Sequence, residues 1–108
     1  MEGKATAILQ GHMDMVCEKN SDIDFDFMKD SIELQKDGDK ILAKGTTLGA
    51  DNGIGLATTL AILEDDSLKL GAIEGLFTVD EETGLTGAFA LAEDMLTGKM
   101  LFLSLIHI

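Results

Sequence analysis

The sequence lacks proline, tryptophan and tyrosine, and it contains a single cysteine, Cys17. One cysteine excludes an internal disulfide bond, which fits a reducing compartment, so we expect a cytoplasmic protein. No apolar run approaches the roughly 20 residues that a membrane-spanning helix needs, and no secretory signal pattern opens the chain. Three missing residue types are unusual in a complete domain, and they favour a piece of a longer protein.

Basic residues are also scarce. Lys and Arg number 8 against 20 Asp and Glu, which gives a formal net charge of −12. Such a field repels phosphate backbones and anionic lipid surfaces, so we expect neither nucleic acid nor a membrane as a partner. Most of the acids are interpreted as a solvated surface, and a minority as metal ligands. The 108 residues, 45% of them hydrophobic, suit one small domain with a thin margin of stability.

Three strands and a hairpin are predicted from the hydrophobic pattern. Apolar runs predict buried strands at residues 5–9 and 73–79, and a further strand begins near Met100. The turn signal Asp37-Gly38, placed between two alternating stretches, predicts a β-hairpin over residues 31–44.

Two helices are predicted between and after these strands. Leucines at helical spacing predict the first helix at residues 54–64. The second is predicted at residues 85–96, with an apolar side formed by Ala88, Phe89, Ala92 and Met95. Alternating strands and helices indicate the α/β class, a mostly parallel sheet flanked by helices. In such sheets, functional sites lie at the carboxyl ends of the strands.

His12 and Asp14 form a His-x-Asp pair just past the first predicted strand. Residues i and i+2 of an extended backbone point to the same side. Asp14 can therefore accept a hydrogen bond from one ring nitrogen of His12 while the other nitrogen binds a metal. The alternative is an ordinary surface histidine with an acid nearby, and the pair alone does not decide between the two.

Further candidate carboxylates follow in two segments. Asp51 lies in a loop rich in glycine, where it is either a metal ligand or, like Asn52, a candidate helix N-cap. Glu81 and Glu82 follow a wholly apolar strand. Adjacent carboxylates repel each other unless a cation compensates. The pair is therefore either an acidic surface loop or a general base beside a metal ligand.

Two other patterns are rejected. The acids of residues 22–33 occupy the ligand positions of an EF-hand loop, but Phe27 stands where that loop needs glycine, and hairpin signals follow in place of a helix. Cys17 could be imagined as a nucleophile with His12. No further residue supports that role, and we expect a buried, inert cysteine.

Three ordered motifs together resemble the two-metal aminopeptidase and carboxypeptidase superfamily, which includes carboxypeptidase G, the aminoacylases and the carnosine-cleaving dipeptidases. The motifs are LQGHMDMVCEK at residues 9–19, KGTTLGADNGIG at residues 44–55 and FTVDEETG at residues 77–84. The resemblance runs from about residue 5 to about residue 101 and is strongest to the bacterial dipeptidase branch that cleaves aminoacyl-histidine substrates.

The resemblance implies a role for each candidate residue. His12 ligates one metal and Asp14 orients it, Asp51 bridges two metals, Glu81 is the general base, and Glu82 ligates the other metal. The resemblance also implies two divalent ions, usually zinc with cobalt or manganese as substitutes, and a dipeptide substrate. Imidazole and carboxylate ligands suit zinc, and two metals can activate a water and polarise the scissile carbonyl.

The chain departs from the family after its last strand. The family continues with a Leu-Asp-Ser-Glu-like segment whose Asp is a metal ligand, whereas this chain has LSLIHI at residues 103–108. We therefore expect a partial catalytic domain at residues 1–100 and an aberrant tail at residues 101–108, with no role for His107. The resemblance places a further histidine ligand and a lid or dimerisation domain later in the family. The fragment alone should then be inactive, and any homodimer belongs to the full-length parent. The alternative is a non-catalytic acidic α/β module that binds a cation or a partner.

Overall fold

A computed structural model describes residues 5–103, and its centre is a three-stranded parallel sheet. The strands are β1 (Ala7–His12), β4 (Ile73–Thr78) and β5 (Met100–Leu103), in the order β4-β1-β5. Ala7 lies opposite Ile73 in β4 and opposite Met100 in β5. Because β1 is central, its backbone is paired on both sides over residues 7–10, which suits the apolar run with which it begins. This sheet confirms the predicted α/β class.

The register brings the carboxyl ends of two strands to one edge of the sheet. His12, the last residue of β1, lies opposite Thr78, the last residue of β4. The N–H of Met13 then donates to the carbonyl of Thr78, at 2.8 Å. The segments that follow β1 and β4 therefore start side by side.

Helix α1 (Ala50–Glu64) packs on the sheet with small and polar residues. Gly55 and Thr59 are buried, while Leu60 and Leu63 are about half exposed, at 53% and 47%. The leucine spacing correctly predicts a helix. The buried face is different because small side chains let the helix backbone approach β1, where a Cβ on Gly11 would lie 3.6 Å from the backbone nitrogen of Leu56.

The hairpin is confirmed as two antiparallel strands, β2 (Leu34–Asp37) and β3 (Lys40–Ala43). Its turn contains Gly38, whose φ of +60° is a conformation that glycine adopts without strain. An Asp-Gly pair between alternating residues is a strong local signal, which explains why this element could be predicted without any knowledge of its neighbours.

The second predicted helix is mostly wrong. Only α2 (Thr86–Phe89) is helical, and the side chains of Phe89 and Met95 are exposed rather than buried. A lone helix of about 12 residues is marginal without tertiary packing. Here the acids Glu93 and Asp94 would also oppose the helix dipole near its C-terminal end. The chain turns instead, and the Glu74 carboxylate accepts the N–H of Thr97.

Few hydrophobic side chains are fully covered. Within residues 5–103, the buried hydrophobic residues are Ile8 and Leu76, and no helix there is long and apolar enough to cross a membrane. Cys17 is exposed, so the expectation of a buried cysteine is wrong. Of the predicted tail at residues 101–108, the first three residues belong to β5 (Met100–Leu103), while His107 lies outside the described residues.

Candidate metal centre

Three separate segments supply the candidate site. His12 ends β1, and Glu81 and Glu82 follow β4 by a few residues, at the same edge of the sheet. Asp51 lies in the first turn of α1, whose N-cap is Gly49 with φ +82°. The N-cap alternative for Asp51 and Asn52 stays a prediction, because both residues have non-helical backbone angles at a kink near the start of this helix. The Asp51 side chain is left available, with half of its surface exposed.

The ring of His12 is held from both sides. Its side chain is only 3% exposed. Nδ1 lies 3.0 Å from the carbonyl oxygen of Asp14 and 3.1 Å from its Oδ1. Nε2 lies 3.1 Å from Oδ1 of Asp51 and 3.9 Å from Oε2 of Glu81. Donation from Nδ1 to Asp14 directs Nε2 towards the other carboxylates, which is the arrangement that a metal-ligating histidine needs.

The pKa values of His12 and Asp14 are shifted in opposite directions. Burial lowers the pKa of His12, but hydrogen bonds to Asp51 and Asp14 and the charge of Glu81 outweigh it, so the pKa is raised. Burial raises the pKa of Asp14, but the N–H groups of Glu82 and Glu81 outweigh it, so that pKa is lowered. Asp14 is therefore a carboxylate at neutral pH.

One group of side chains fits a divalent cation. His12, Asp51 and Glu82 each offer one donor atom, and these three atoms lie within 4.8 Å of one another. Two donors at about 2.1 Å from one zinc ion are at most about 4.2 Å apart. Small side-chain movements would therefore bring the three donor atoms within binding distance of one ion. An imidazole with two carboxylates is a donor set suited to zinc, cobalt or manganese. Within residues 5–103 the acidic stretch 22–33 forms no such group.

Two hollows adjoin the centre. One, of about 350 Å³, is lined by His12, Glu81 and apolar side chains that include Leu85 and Leu103. The other, of about 310 Å³, has Asp51 and Glu82 on its wall together with Met15 and Leu48. The carboxylates therefore border open space that a substrate could occupy.

Comparison with known proteins agrees with the fold and with the motifs. The model of the peptidase family M20/M25/M40 matches residues 8–108. The chain belongs to this peptidase family. It is 48% identical over 101 residues to the cytosol non-specific dipeptidase of Escherichia coli K12, covering 94% of the chain and 21% of that protein. It is also 44% identical over 59 residues to the uncharacterized protein YqjE of Bacillus subtilis, covering 51% of the chain and 16% of that protein.

A solved structure shows the same arrangement of strands and helices. The crystal structure of aminoacylhistidine dipeptidase from Vibrio alginolyticus matches 96% of the chain with a TM-score of 0.90 and 52% identity, and the chain covers 21% of it. The resemblance drawn from the three motifs is thereby confirmed. The chain spans about a fifth of the length of these two dipeptidases.

Sequence reasoning missed part of this candidate site. The backbone N–H groups of Glu81 and Glu82 both donate to Asp14, at 3.0 Å each. Asn52 is almost fully buried beside Gly11. The hydrogen bonds to Asp14 could have been predicted, because the predicted strands before residues 12 and 80 end at the same edge of a parallel sheet. Nothing in the pattern around residue 52 separates a buried asparagine from an exposed one.

Proposed function

We propose that this chain carries part of the active site of a metal-dependent dipeptidase. The observation that carries the proposal is the meeting of His12, Asp51 and Glu82, which come from three separate segments, with Glu81 beside them. Membership of a peptidase family and the similarity to two proteins named as dipeptidases support the reaction class. The substrate is a dipeptide, and the protein acts in the cytoplasm.

In this proposal, His12, Asp51 and Glu82 hold the metal. His12 would ligate one ion, Glu82 would ligate a second, and Asp51 would serve both. When bound, two divalent ions, zinc first with cobalt or manganese as substitutes, would activate a water molecule and polarise the scissile carbonyl. Asp14 contributes by holding the Nδ1 proton of His12, which leaves Nε2 free to bind.

Glu81 is the proposed general base. Its Oε2 lies 3.9 Å from Nε2 of His12, so the carboxylate borders the donor group without being part of it. From that position Glu81 can take a proton from the attacking water and pass it to the amine that leaves.

Zinc should stabilise the folded chain if the proposal holds. At a hundredfold excess of zinc over its dissociation constant, mass action adds about 2.7 kcal/mol to the free energy of unfolding. Asp51→Ala should remove most of this gain, because the proposed bridging ligand serves both ions. Thermal melting with and without zinc measures the effect. Asp66→Ala, which removes another exposed aspartate after α1, is the matched control and should keep the gain. A melting curve indifferent to zinc would refute the proposal.

A second candidate is a module that binds a cation without performing catalysis. The number of metal-binding atoms favours this candidate. The part of the chain that the structure describes brings together three such atoms, from His12, Asp51 and Glu82, and binding a cation requires no general base. Both candidates bind zinc, so turnover by the full-length protein separates them.

A further inference from the structure

Asp14 makes more contacts than its proposed task of orienting His12 requires. Its Oδ1 lies 3.1 Å from Nδ1 of His12 and also accepts the N–H of Glu81, at 3.0 Å. Its Oδ2 accepts the N–H of Glu82, also at 3.0 Å. One carboxylate thus joins the end of β1 to two consecutive peptide groups after β4.

The backbone before these peptide groups turns in an uncommon way. Asp80 has φ +56°, a left-handed conformation that is uncommon outside glycine but that aspartate adopts more often than most residues. After this turn the next two N–H groups both point to Asp14, so the carboxylate binds a small concave arrangement of backbone donors. Hydrogen bonds to an ionised acceptor are stronger than those to a neutral one. Asp14 therefore holds this turn through two charge-assisted hydrogen bonds.

We propose that Asp14 is a positioning residue that fixes Glu81 and Glu82, as well as His12, in the geometry that the metal centre needs. The metal-related part of this inference rests on the proposed function. The last backbone hydrogen bond of this edge joins Met13 to Thr78. Asp14 continues the link beyond the sheet, into the loop that carries the proposed base and a proposed ligand. A metal would then meet donors that are already placed.

The carboxamide variant Asp14→Asn tests this link with little change in shape. An amide has one acceptor oxygen and an NH₂ group that cannot accept, so it cannot keep both backbone bonds together with the bond from His12. In the metal-free protein, amide hydrogen exchange at Glu81 and Glu82 should be at least about tenfold faster than in the wild type. Zinc binding, measured by calorimetry, should weaken by about 10–100-fold, the usual effect of losing a group that orients metal ligands.

The control is Asp66→Asn, which removes the same charge from an exposed site. It should change neither quantity. Asp14→Asn with unchanged exchange at Glu81 and Glu82 would overturn the proposal, even if zinc binding fell, because Asp14 would then act on His12 alone. Unchanged zinc binding would overturn it too.

If Asp14→Asn does not fold, amide hydrogen exchange in the wild-type protein tests the proposal instead. Its Glu81 and Glu82 amides must exchange as slowly as those paired within β4, and exchange at the rate of unstructured peptide would overturn the proposal. Because exchange is measured without metal, it tests the Asp14 link separately from the proposed function. A wild type that binds no zinc would refute the proposed function, and exchange alone would then decide whether Asp14 holds this loop.

Discussion

Glu81 and Glu82 are neighbours in the chain but have different surroundings. Glu82 is exposed and offers an oxygen to the donor group with His12 and Asp51. Glu81 is less exposed, and its Oε2 lies 3.9 Å from Nε2 of His12. Two adjacent carboxylates can therefore have different tasks, one as a ligand and the other as a base.

Glu81→Gln should separate these tasks in the full-length protein. Glutamine keeps the shape but cannot accept a proton, so turnover of a β-alanyl-histidine substrate should fall by about 100- to 10,000-fold. Zinc affinity should stay within a few-fold of the wild type. Glu82→Gln is the comparison, and it should weaken zinc binding directly. Equal loss of zinc affinity in the two variants would contradict the assignment.

The raised pKa of His12 should make the stability of the metal-free chain depend on pH. Its folded-state pKa lies above the ordinary value of 6.5, so the folded state favours the protonated ring. This contribution is complete below about pH 6.5 and is lost as the pH rises through the folded-state value. The free energy of unfolding, relative to His12→Gln, should therefore fall as the pH rises above about 6.5. Denaturant titrations at several pH values measure it, and parallel curves for the two proteins would contradict it.

Helix α2 lies close against the backbone that follows β4. The N–H of Gly87 donates to the carbonyl of Val79, at 3.0 Å. A Cβ on Gly87 would lie 2.3 Å from that carbonyl oxygen and 2.6 Å from the Val79 nitrogen. Both atoms are backbone and cannot move aside cheaply. The position of α2 therefore needs a residue without a side chain.

Gly87→Ala should lower the free energy of unfolding by about 1–3 kcal/mol, as overpacking does. Gly53→Ala is the matched control, since a Cβ there meets nothing within 4 Å. It should be neutral, or stabilising by up to about 1 kcal/mol through helix propensity. Denaturant unfolding of both variants makes the comparison. Equal effects would mean that the contact between α2 and Val79 is absent in solution.

The molecule as a whole is extended for its length. Its radius of gyration is 16.9 Å, against about 13 Å expected for a compact domain of this size. All four residues of β5 are exposed, as are Leu34 and Ile41 of the hairpin. Chains with so little covered apolar surface are marginally stable, so a bound metal would matter more here than in a larger domain.

The zinc-loaded 108-residue chain should not hydrolyse dipeptides appreciably. The described residues supply one proposed base and three proposed ligands, and the chain spans about a fifth of the length of the dipeptidases it matches. Precise positioning can be worth about 7–11 kcal/mol of barrier, and each 1.36 kcal/mol is about tenfold in rate. Incubation with zinc and β-alanyl-histidine tests this. Chelator-sensitive turnover near that of the full-length protein would show that these residues suffice.

Short-range patterns in the sequence determined the family, the hairpin, the strands and the candidate residues. Asp37-Gly38 specifies a turn through local backbone preference, and the motifs around His12, Asp51 and Glu81 carry their residue types with them. Tertiary structure decided the rest. The strand register placed Asp14 beside the Glu81 and Glu82 amides, and the small residues of α1 decided which face is buried. The predicted second helix ended at Phe89 because its apolar side found no partner. These outcomes depend on which distant segments of the chain come into contact. The spacing of residue types within one short segment does not determine those contacts.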